Sequence, residues 1–189
     1  MVVHIRGRDI AIEKDGKVIE QTPSDYPLSW IETFRQRYRM PEVDGLPRFT
    51  GGLVGYFGYD TIRYIEPKLA NSSQTRTNPD ELNTPDILLM VSDEVVVFDN
   101  LSVKLFVVVH VDPAEAAALE KGETRLRQLV AQLDEPVKRA PYVQSREVTE
   151  ADFVSGFTQE GFEEAVVKSK QYITDGDIMQ VVLSQRLSI

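Results

Sequence analysis

The first 21 residues alternate between apolar and polar positions with the period of two that is typical of β-strands. Three such runs, 2–5, 10–13 and 18–21, are separated by the polar turns R-G-R-D and K-D-G-K. Asp-Gly between two alternating runs is a strong hairpin signal. The pattern therefore predicts a small antiparallel meander at the start of the chain.

The apolar spacing then lengthens to that of an α-helix. Trp30, Ile31, Phe34 and Tyr38 recur at helical intervals, and Pro27 suits a first helical turn. The same periodicities predict later strands over 86–92, 95–99, 105–111 and 177–186, and helices over 113–134 and 158–173. These elements predict an α+β fold of antiparallel β-sheet layers with packed helices.

The stretch Arg48–Glu66 is the most unusual part of the chain. Glycine weakens a strand, so its glycines need a reason, usually the close approach of another backbone or a ring. We predict a central strand packed in this way, running into a short helix capped by Asp60. The glycines concerned are Gly51, Gly52, Gly55 and Gly58.

A phosphate-binding loop is the alternative interpretation of these glycines. Their spacing does not give G-x-G-x-x-G, and no G-K-[ST] follows. Asp60 at the start of the helix would also repel a phosphate. The sequence therefore favours close packing.

Periodicity is lost over 141–156, which we interpret as a connector. It would join a first domain over 1–140 to the beginning of a second over 157–189. The first strand pattern follows Met1 with no segment leading into it, and the last apolar run stops with no turn and no partner behind it, although a terminal apolar strand must pair with something. We therefore expect these residues to be part of a longer protein.

Composition narrows the possible partners. The chain has 21 basic and 30 acidic residues, a net charge of −9, which disfavours nucleic acid or an anionic membrane as partner. It has no cysteine, so disulfides and thiolate chemistry are excluded within it. No apolar run approaches the roughly 18 residues of a membrane-spanning helix. A cytoplasmic location is the expectation.

Gln180 is the candidate catalytic residue. In the predicted strand it alternates with apolar neighbours, where an unsatisfied amide would cost about 1–3 kcal/mol. An amide offers donors and an acceptor without charge, which suits the orientation of a neutral nucleophile. The structural alternative is a core glutamine that is bonded to a neighbouring loop.

Other candidate sites are weaker. Asp175 and Asp177 flank Gly176 and could form a carboxylate pair, but helix-end turns are ordinarily rich in these residues. His4 and His110 each lie in a predicted strand, and we expect both to be structural. No metal-binding H-x-x-H and no G-x-S-x-G motif occurs.

Three segments resemble the chorismate-utilising enzymes, most closely the anthranilate synthase component I family. R-F-T-G-G-L-V-G-Y-F-G-Y-D is similar to the family's glycine-rich strand, and N-T-P-D-I-L-L-M-V-S-D-E to the segment that follows it. Y-I-T-D-G-D-I-M-Q-V-V-L-S-Q-R resembles the opening of the family's chorismate-binding domain, and this last motif is distinctive. The matching segments occur in the same order as in the family and span essentially the whole chain.

The resemblance implies a Mg²⁺-dependent lyase in tryptophan biosynthesis. It would add ammonia to chorismate and release anthranilate and pyruvate, with ammonia supplied from glutamine by a separate amidotransferase subunit and tryptophan as feedback inhibitor. In relatives that add water, a lysine base stands at the position of Gln180. Ammonia is already a nucleophile and needs only to be positioned, which a neutral amide can do. The resemblance therefore implies a catalytic role for Gln180.

Parts of the family pattern are missing from the 189 residues. The first feedback motif would precede Met1, and the Mg²⁺ carboxylates and the catalytic histidine would follow Ile189. We therefore expect this chain alone to be inactive. Two alternatives stay open: component I of aminodeoxychorismate synthase, and a non-catalytic regulatory or binding module.

Overall fold

The structure, a computed structural model, describes residues 1–70, 80, 82–137 and 146–189. The chain divides into two compact units, Met1–Pro136 and Val137–Ile189. Residues 141–145 of the predicted connector lie outside the described residues, and the domain limits given above stay predictions.

The predicted meander is confirmed. Its strands are β1 (Val2–Arg6), β2 (Asp9–Lys14) and β3 (Lys17–Pro23). Each neighbouring pair is antiparallel, with Val3 opposite Ile12 and Ile10 opposite Thr22. The short polar turns between the apolar runs fix this register, as the sequence pattern indicated.

Two later strands complete a five-stranded antiparallel sheet. They are β4 (Gly52–Phe57) and β5 (Ile87–Ser92). The strand order is β3-β2-β1-β5-β4, so β5 lies between β1 and β4. The prediction that the glycine-rich strand is central is wrong among the described residues, because β4 pairs only with β5. Sequence alternation shows which face is apolar but not which strands are neighbours.

The core of the first unit lies between one face of this sheet and helix α1 (Pro27–Arg35). Alternate residues of three strands point to this face, and Ile31 and Phe34 cover them from the helix. The Trp30 ring stacks on Phe34 at 5.0 Å. The buried strand residues are Val3, Ile5, Ile10, Ile12, Ile87 and Leu89.

A 3-10 helix, Tyr59–Tyr64, follows β4, and α2 (Pro67–Ala70) follows it. Gly58 and not Asp60 occupies the N-cap position, and Asp60 instead accepts a hydrogen bond from Arg63 Nε at 2.8 Å. The prediction of an Asp60 cap is therefore wrong. Pro67 disfavours α geometry at the preceding residue, and this limits how far the 3-10 helix can extend.

The remaining elements of the first unit are β6 (Glu94–Asp99), β7 (Lys104–Val109) and α3 (Ala118–Asp134). The two strands form a separate antiparallel pair. Arg125 of α3 donates two hydrogen bonds, at 2.6 and 2.8 Å, to the carboxylate of Glu94. The predicted α+β class with antiparallel sheets and packed helices is confirmed.

The second unit contains α4 (Gln159–Asp175) and a two-residue pairing of β8 (Val154–Ser155) with β9 (Leu187–Ser188). A short 3-10 helix, Glu150–Asp152, precedes β8 and is held by a capping box between Thr149 and Asp152. None of the helices in the described ranges is long and apolar enough to cross a membrane.

Candidate functional site

Close packing accounts for three of the four glycines of Arg48–Glu66, and Gly52 instead has a backbone φ of +140° that side chains rarely adopt. A Cβ added to Gly55 would overlap the backbone oxygen of Leu88 on β5. A Cβ on Gly51 would lie 2.6 Å from the oxygen of Ser92 and 2.8 Å from Nε2 of His110. A neighbouring backbone and a ring therefore occupy the space, as the sequence predicted.

His110 has a structural contact at this point. Its Nε2 lies 2.7 Å from the carbonyl oxygen of Thr50, and because a carbonyl only accepts, Nε2 donates. The other histidine, His4, lies 3.5 Å from the carboxylate of Glu13 across the β1–β2 pair. Each contact joins neighbouring segments of the first unit, as expected of structural histidines.

Helix α4 ends immediately before the Gln180 segment. Thr158 Oγ1 accepts a hydrogen bond from the amide of Gly161 at 3.1 Å at the helix start. Gly176 has φ +81° at the other end, and the next amide, of Asp177, donates to the carbonyl of Tyr172 at 3.0 Å. The predicted helix and its left-handed glycine end are confirmed, so the point at which the chain leaves the helix is fixed.

The predicted strand over 177–186 is wrong in this structure. Only Leu187–Ser188 pair with another strand, and residues 178–186 have no regular secondary structure apart from a bend. A strand gains its ladder hydrogen bonds only from a neighbour, and β8 offers two residues. Gln180 is consequently solvent-exposed, and its amide does not face the buried surroundings that the alternation indicated.

A cavity of about 550 Å³ lies beside this segment within the second unit. The rings of Phe157 and Phe162 meet edge to face, with centroids 5.8 Å apart. Ser155 Oγ donates to Oε1 of Gln185 at 3.3 Å across the β8–β9 end. Gln180 does not line this cavity, although Ser184 and Gln185 of the same motif do.

Asp175 and Asp177, the possible carboxylate pair for acid–base chemistry, lie at the end of α4. Asp175 accepts a hydrogen bond from Gln171 Nε2 at 2.7 Å, one turn earlier on the helix. Asp175 and Asp177 are both exposed at the helix end, as turn chemistry predicted. In the part of the chain that the structure describes, no group of three or more His, Cys, Asp or Glu side chains could hold a metal ion.

A second cavity, of about 700 Å³, lies in the first unit and was not predicted. Its lining combines basic Arg37, Arg39 and Lys121 with acidic residues and with His110. Lys121 Nζ lies 3.2 Å from Glu115, so part of this charge is paired. The lining comes from segments far apart in sequence, which leaves no local motif from which the cavity could be recognised.

Comparisons with known proteins agree on one family. The profile of the family described as chorismate binding enzyme matches residues 5–189. Anthranilate synthase component 1 of Pseudomonas putida is 47% identical over the whole chain. Its counterpart in Neisseria meningitidis is 44% identical over 97% of the chain.

A solved structure shares the fold. Anthranilate synthase component I from Streptococcus pneumoniae superposes with a TM-score of 0.69 at 26% identity, over 98% of this chain and 39% of that one. The chain spans 38% of the length of the Pseudomonas putida relative and 36% of the Neisseria meningitidis relative.

Proposed function

Because the chain belongs to the family of chorismate binding enzymes, we propose that its protein acts as the large component of anthranilate synthase. The reaction is the conversion of chorismate and ammonia to anthranilate, pyruvate and water, the first step of tryptophan biosynthesis. The observation that carries the proposal is the identity of 47% and 44% to relatives named for this activity, across essentially the whole chain. The aligned region includes the segment around Gln180.

We assign to Gln180 the role of positioning ammonia. Its amide can donate to and accept from a small neutral molecule and carries no charge at any ordinary pH. A base is not needed, since ammonia is itself the nucleophile. The role requires the amide to be withdrawn from water, where a positioning hydrogen bond contributes more than in solvent. Pairing of 177–186 with a neighbouring strand in the full-length protein would supply that environment.

The proposed reaction uses Mg²⁺, but the described residues do not fit a site for it, because no cluster of ligating side chains is present among them. We expect the ligands outside residues 1–189, and no step is assigned to a metal held by this chain. A glutamine amidotransferase subunit is the proposed source of ammonia. Tryptophan is the proposed feedback inhibitor, and the cytoplasm is the proposed location.

The test is product identification with the full-length product of the gene that encodes this chain. The purified protein is incubated with chorismate, ammonium and Mg²⁺, and the products are separated and identified by mass spectrometry. Anthranilate and pyruvate in equal amounts are expected. Formation of 4-amino-4-deoxychorismate would assign the protein to aminodeoxychorismate synthesis instead. Bound but unconverted chorismate would favour a non-catalytic module.

A further inference from the structure

The Gln180 segment, residues 177–186, is held against β8 at its far end. β8 and β9 pair antiparallel over two residues, with Ser155 opposite Leu187. The amide of Gly156 donates to the carbonyl oxygen of Arg186 at 3.0 Å, so the ladder continues in the same register by one more residue. The register of the segment is therefore set where it meets β8.

The Ser155 hydroxyl contributes a side-chain contact to this register. Its Oγ accepts a hydrogen bond from the amide of Phe157 at 3.1 Å and donates to Oε1 of Gln185 at 3.3 Å. A serine hydroxyl has a single hydrogen, and the Phe157 contact leaves it available for Gln185. Gln185 belongs to the distinctive motif, five residues after Gln180.

Ser155 lies at a fixed junction between β8 and α4. Thr158 caps the helix, and the Phe157 ring packs edge to face against Phe162, with centroids 5.8 Å apart. The start of α4 therefore holds Phe157 in place, and the Phe157 amide orients the Ser155 hydroxyl. Through Gln185, this hydroxyl connects the beginning of the helix with the chain that returns after its end.

The register decides the side to which Gln180 points. Side chains of a strand alternate between its two faces, so a slip of one residue exchanges the faces along the whole segment. Such a slip would also bring Ser184 or Arg186 beside Ser155 in place of Gln185. Neither side chain offers an amide oxygen, so the hydrogen bond from Ser155 favours one register.

We propose that Ser155 is a positioning residue, whose hydrogen bond to Gln185 fixes the register of the segment and so directs the Gln180 amide towards bound ammonia. The inference rests on the proposed function, because the direction of this amide matters to the reaction only if Gln180 positions ammonia. Ser155 acts through Gln185 and needs no contact with ammonia or chorismate.

Steady-state kinetics of the full-length gene product test this role. Ser155→Ala should lower kcat/KM for ammonium by about 3- to 10-fold, the equivalent of one lost hydrogen bond, without a change in KM for chorismate. Ser155→Thr keeps the hydroxyl and should retain the wild-type value. A lower Tm with an unchanged kcat/KM for ammonium in Ser155→Ala would show a purely structural role and overturn the proposal.

Val154→Ala is the matched control. Val154 is the adjacent residue of β8, points to the opposite face, is 71% exposed and has no polar side-chain group. Its truncation should leave kcat/KM for ammonium within about twofold of wild type. A loss as large as that of Ser155→Ala would show that any change in β8 has this effect, and would contradict a specific role of the hydroxyl.

A double-mutant cycle tests whether Ser155 acts through Gln185. Gln185→Leu removes the amide and keeps a side chain of similar size. If the two residues act through one hydrogen bond, the variant that carries both substitutions should be no slower than the slower single variant. Fold-losses that multiply would show that the residues act independently and would overturn the proposal.

Hydrogen exchange resolved to single amides tests the register without reference to activity. The Gly156 amide, which donates to Arg186, should exchange about 3- to 10-fold faster in Ser155→Ala than in Ser155→Thr. The Phe162 amide, which donates to the Thr158 carbonyl at the start of α4, is the internal comparison and should not change. Equal exchange at Gly156 in the two variants would overturn the proposal. This result does not depend on anthranilate formation, so the failure of this inference and of the proposed function can be told apart.

Discussion

Gly55 shows how one missing side chain can fix the position of a whole strand. A Cβ added to this residue would overlap the backbone oxygen of Leu88, which leaves no space for a methyl group. The neighbouring strand can approach only because nothing projects from this residue. Close approach and, at Gly52, a positive φ account for the glycines, and a binding loop for phosphate is not needed to explain them.

Gly55→Ala should consequently destabilise the first unit by about 3 kcal/mol, because the new methyl group meets rigid backbone. Val54→Ala, at the adjacent and exposed position of the same strand, is the control and should cost less than about 1 kcal/mol. Urea denaturation of the two variants measures both values. A Gly55→Ala protein as stable as the Val54→Ala protein would contradict the close approach.

Gln180 is the residue on which the proposed chemistry depends. Gln180→Ala in the full-length protein should lower kcat for anthranilate by about 5- to 150-fold, the equivalent of about 1–3 kcal/mol for one lost positioning contact. Gln180→Lys should lose most anthranilate formation, since burial favours a neutral lysine that can act as a base towards water. A trace of hydroxylated product would accompany this loss.

Thermal unfolding of the Gln180→Ala protein separates the catalytic role from a structural one. The catalytic role predicts an unchanged Tm with reduced kcat. A core role predicts a lower Tm with a normal kcat for the protein that stays folded. An unchanged kcat would remove Gln180 from the mechanism.

At the scale of elements, Tyr64 joins three segments of the first unit. Its hydroxyl lies 2.8 Å from the carboxylate of Asp86 and 2.8 Å from the carbonyl of Gly7. The same Asp86 oxygen accepts from the amide of Gly7 at 2.7 Å. The 3-10 helix, the first hairpin turn and the start of β5 are therefore tied together at one point.

This contact predicts a loss of stability in alkali. Burial, and after it the hydrogen bond to Asp86, raises the pKa of Tyr64. Because the folded pKa lies above the unfolded value of about 10, the contribution is fully present below pH ~10 and is lost as pH rises through the folded pKa. Tyr64→Phe should cost about 1 kcal/mol at neutral pH, and its difference from wild type should shrink above pH ~10.

Urea denaturation at a series of pH values checks this prediction. Tyr59→Phe is the matched control, because Tyr59 is 94% exposed, and it should follow the wild-type curve at every pH. If the free energies of unfolding of Tyr64→Phe and wild type differ by the same amount across the alkaline range, the Tyr64 hydroxyl is not the source of the pH dependence.

The secondary-structure elements differ in how far they could be predicted from the sequence. The meander, α1, α3 and α4 depend on local periodicity and on nearby turns or caps, and Gly176 ends α4 as predicted. The place of β4 in the sheet and the conformation of 177–186 depend on which distant strand is available as a neighbour, which periodicity does not encode. The cavity around His110 escaped prediction for the same reason, since its lining is brought together only by the fold.

At the scale of the whole molecule, the two compact units contribute differently to the proposed function. The first unit has a buried core and an uncharged sheet edge, whereas the second carries the distinctive motif on a segment with little regular structure. Strand segments become ordered when neighbouring strands pair with them. We therefore expect the Gln180 segment to become ordered within the larger family fold, since this chain spans 38% of the Pseudomonas putida relative.

A chimera tests that expectation most directly. The aligned 38% of the Pseudomonas putida component 1 is replaced by residues 1–189, and anthranilate formation from chorismate, ammonium and Mg²⁺ is followed by fluorescence. We expect a folded chimera that forms anthranilate within about tenfold of the parent rate, and whose rate falls about 5- to 150-fold on Gln180→Ala. A chimera that folds with the parent's Tm but forms no anthranilate would contradict the account.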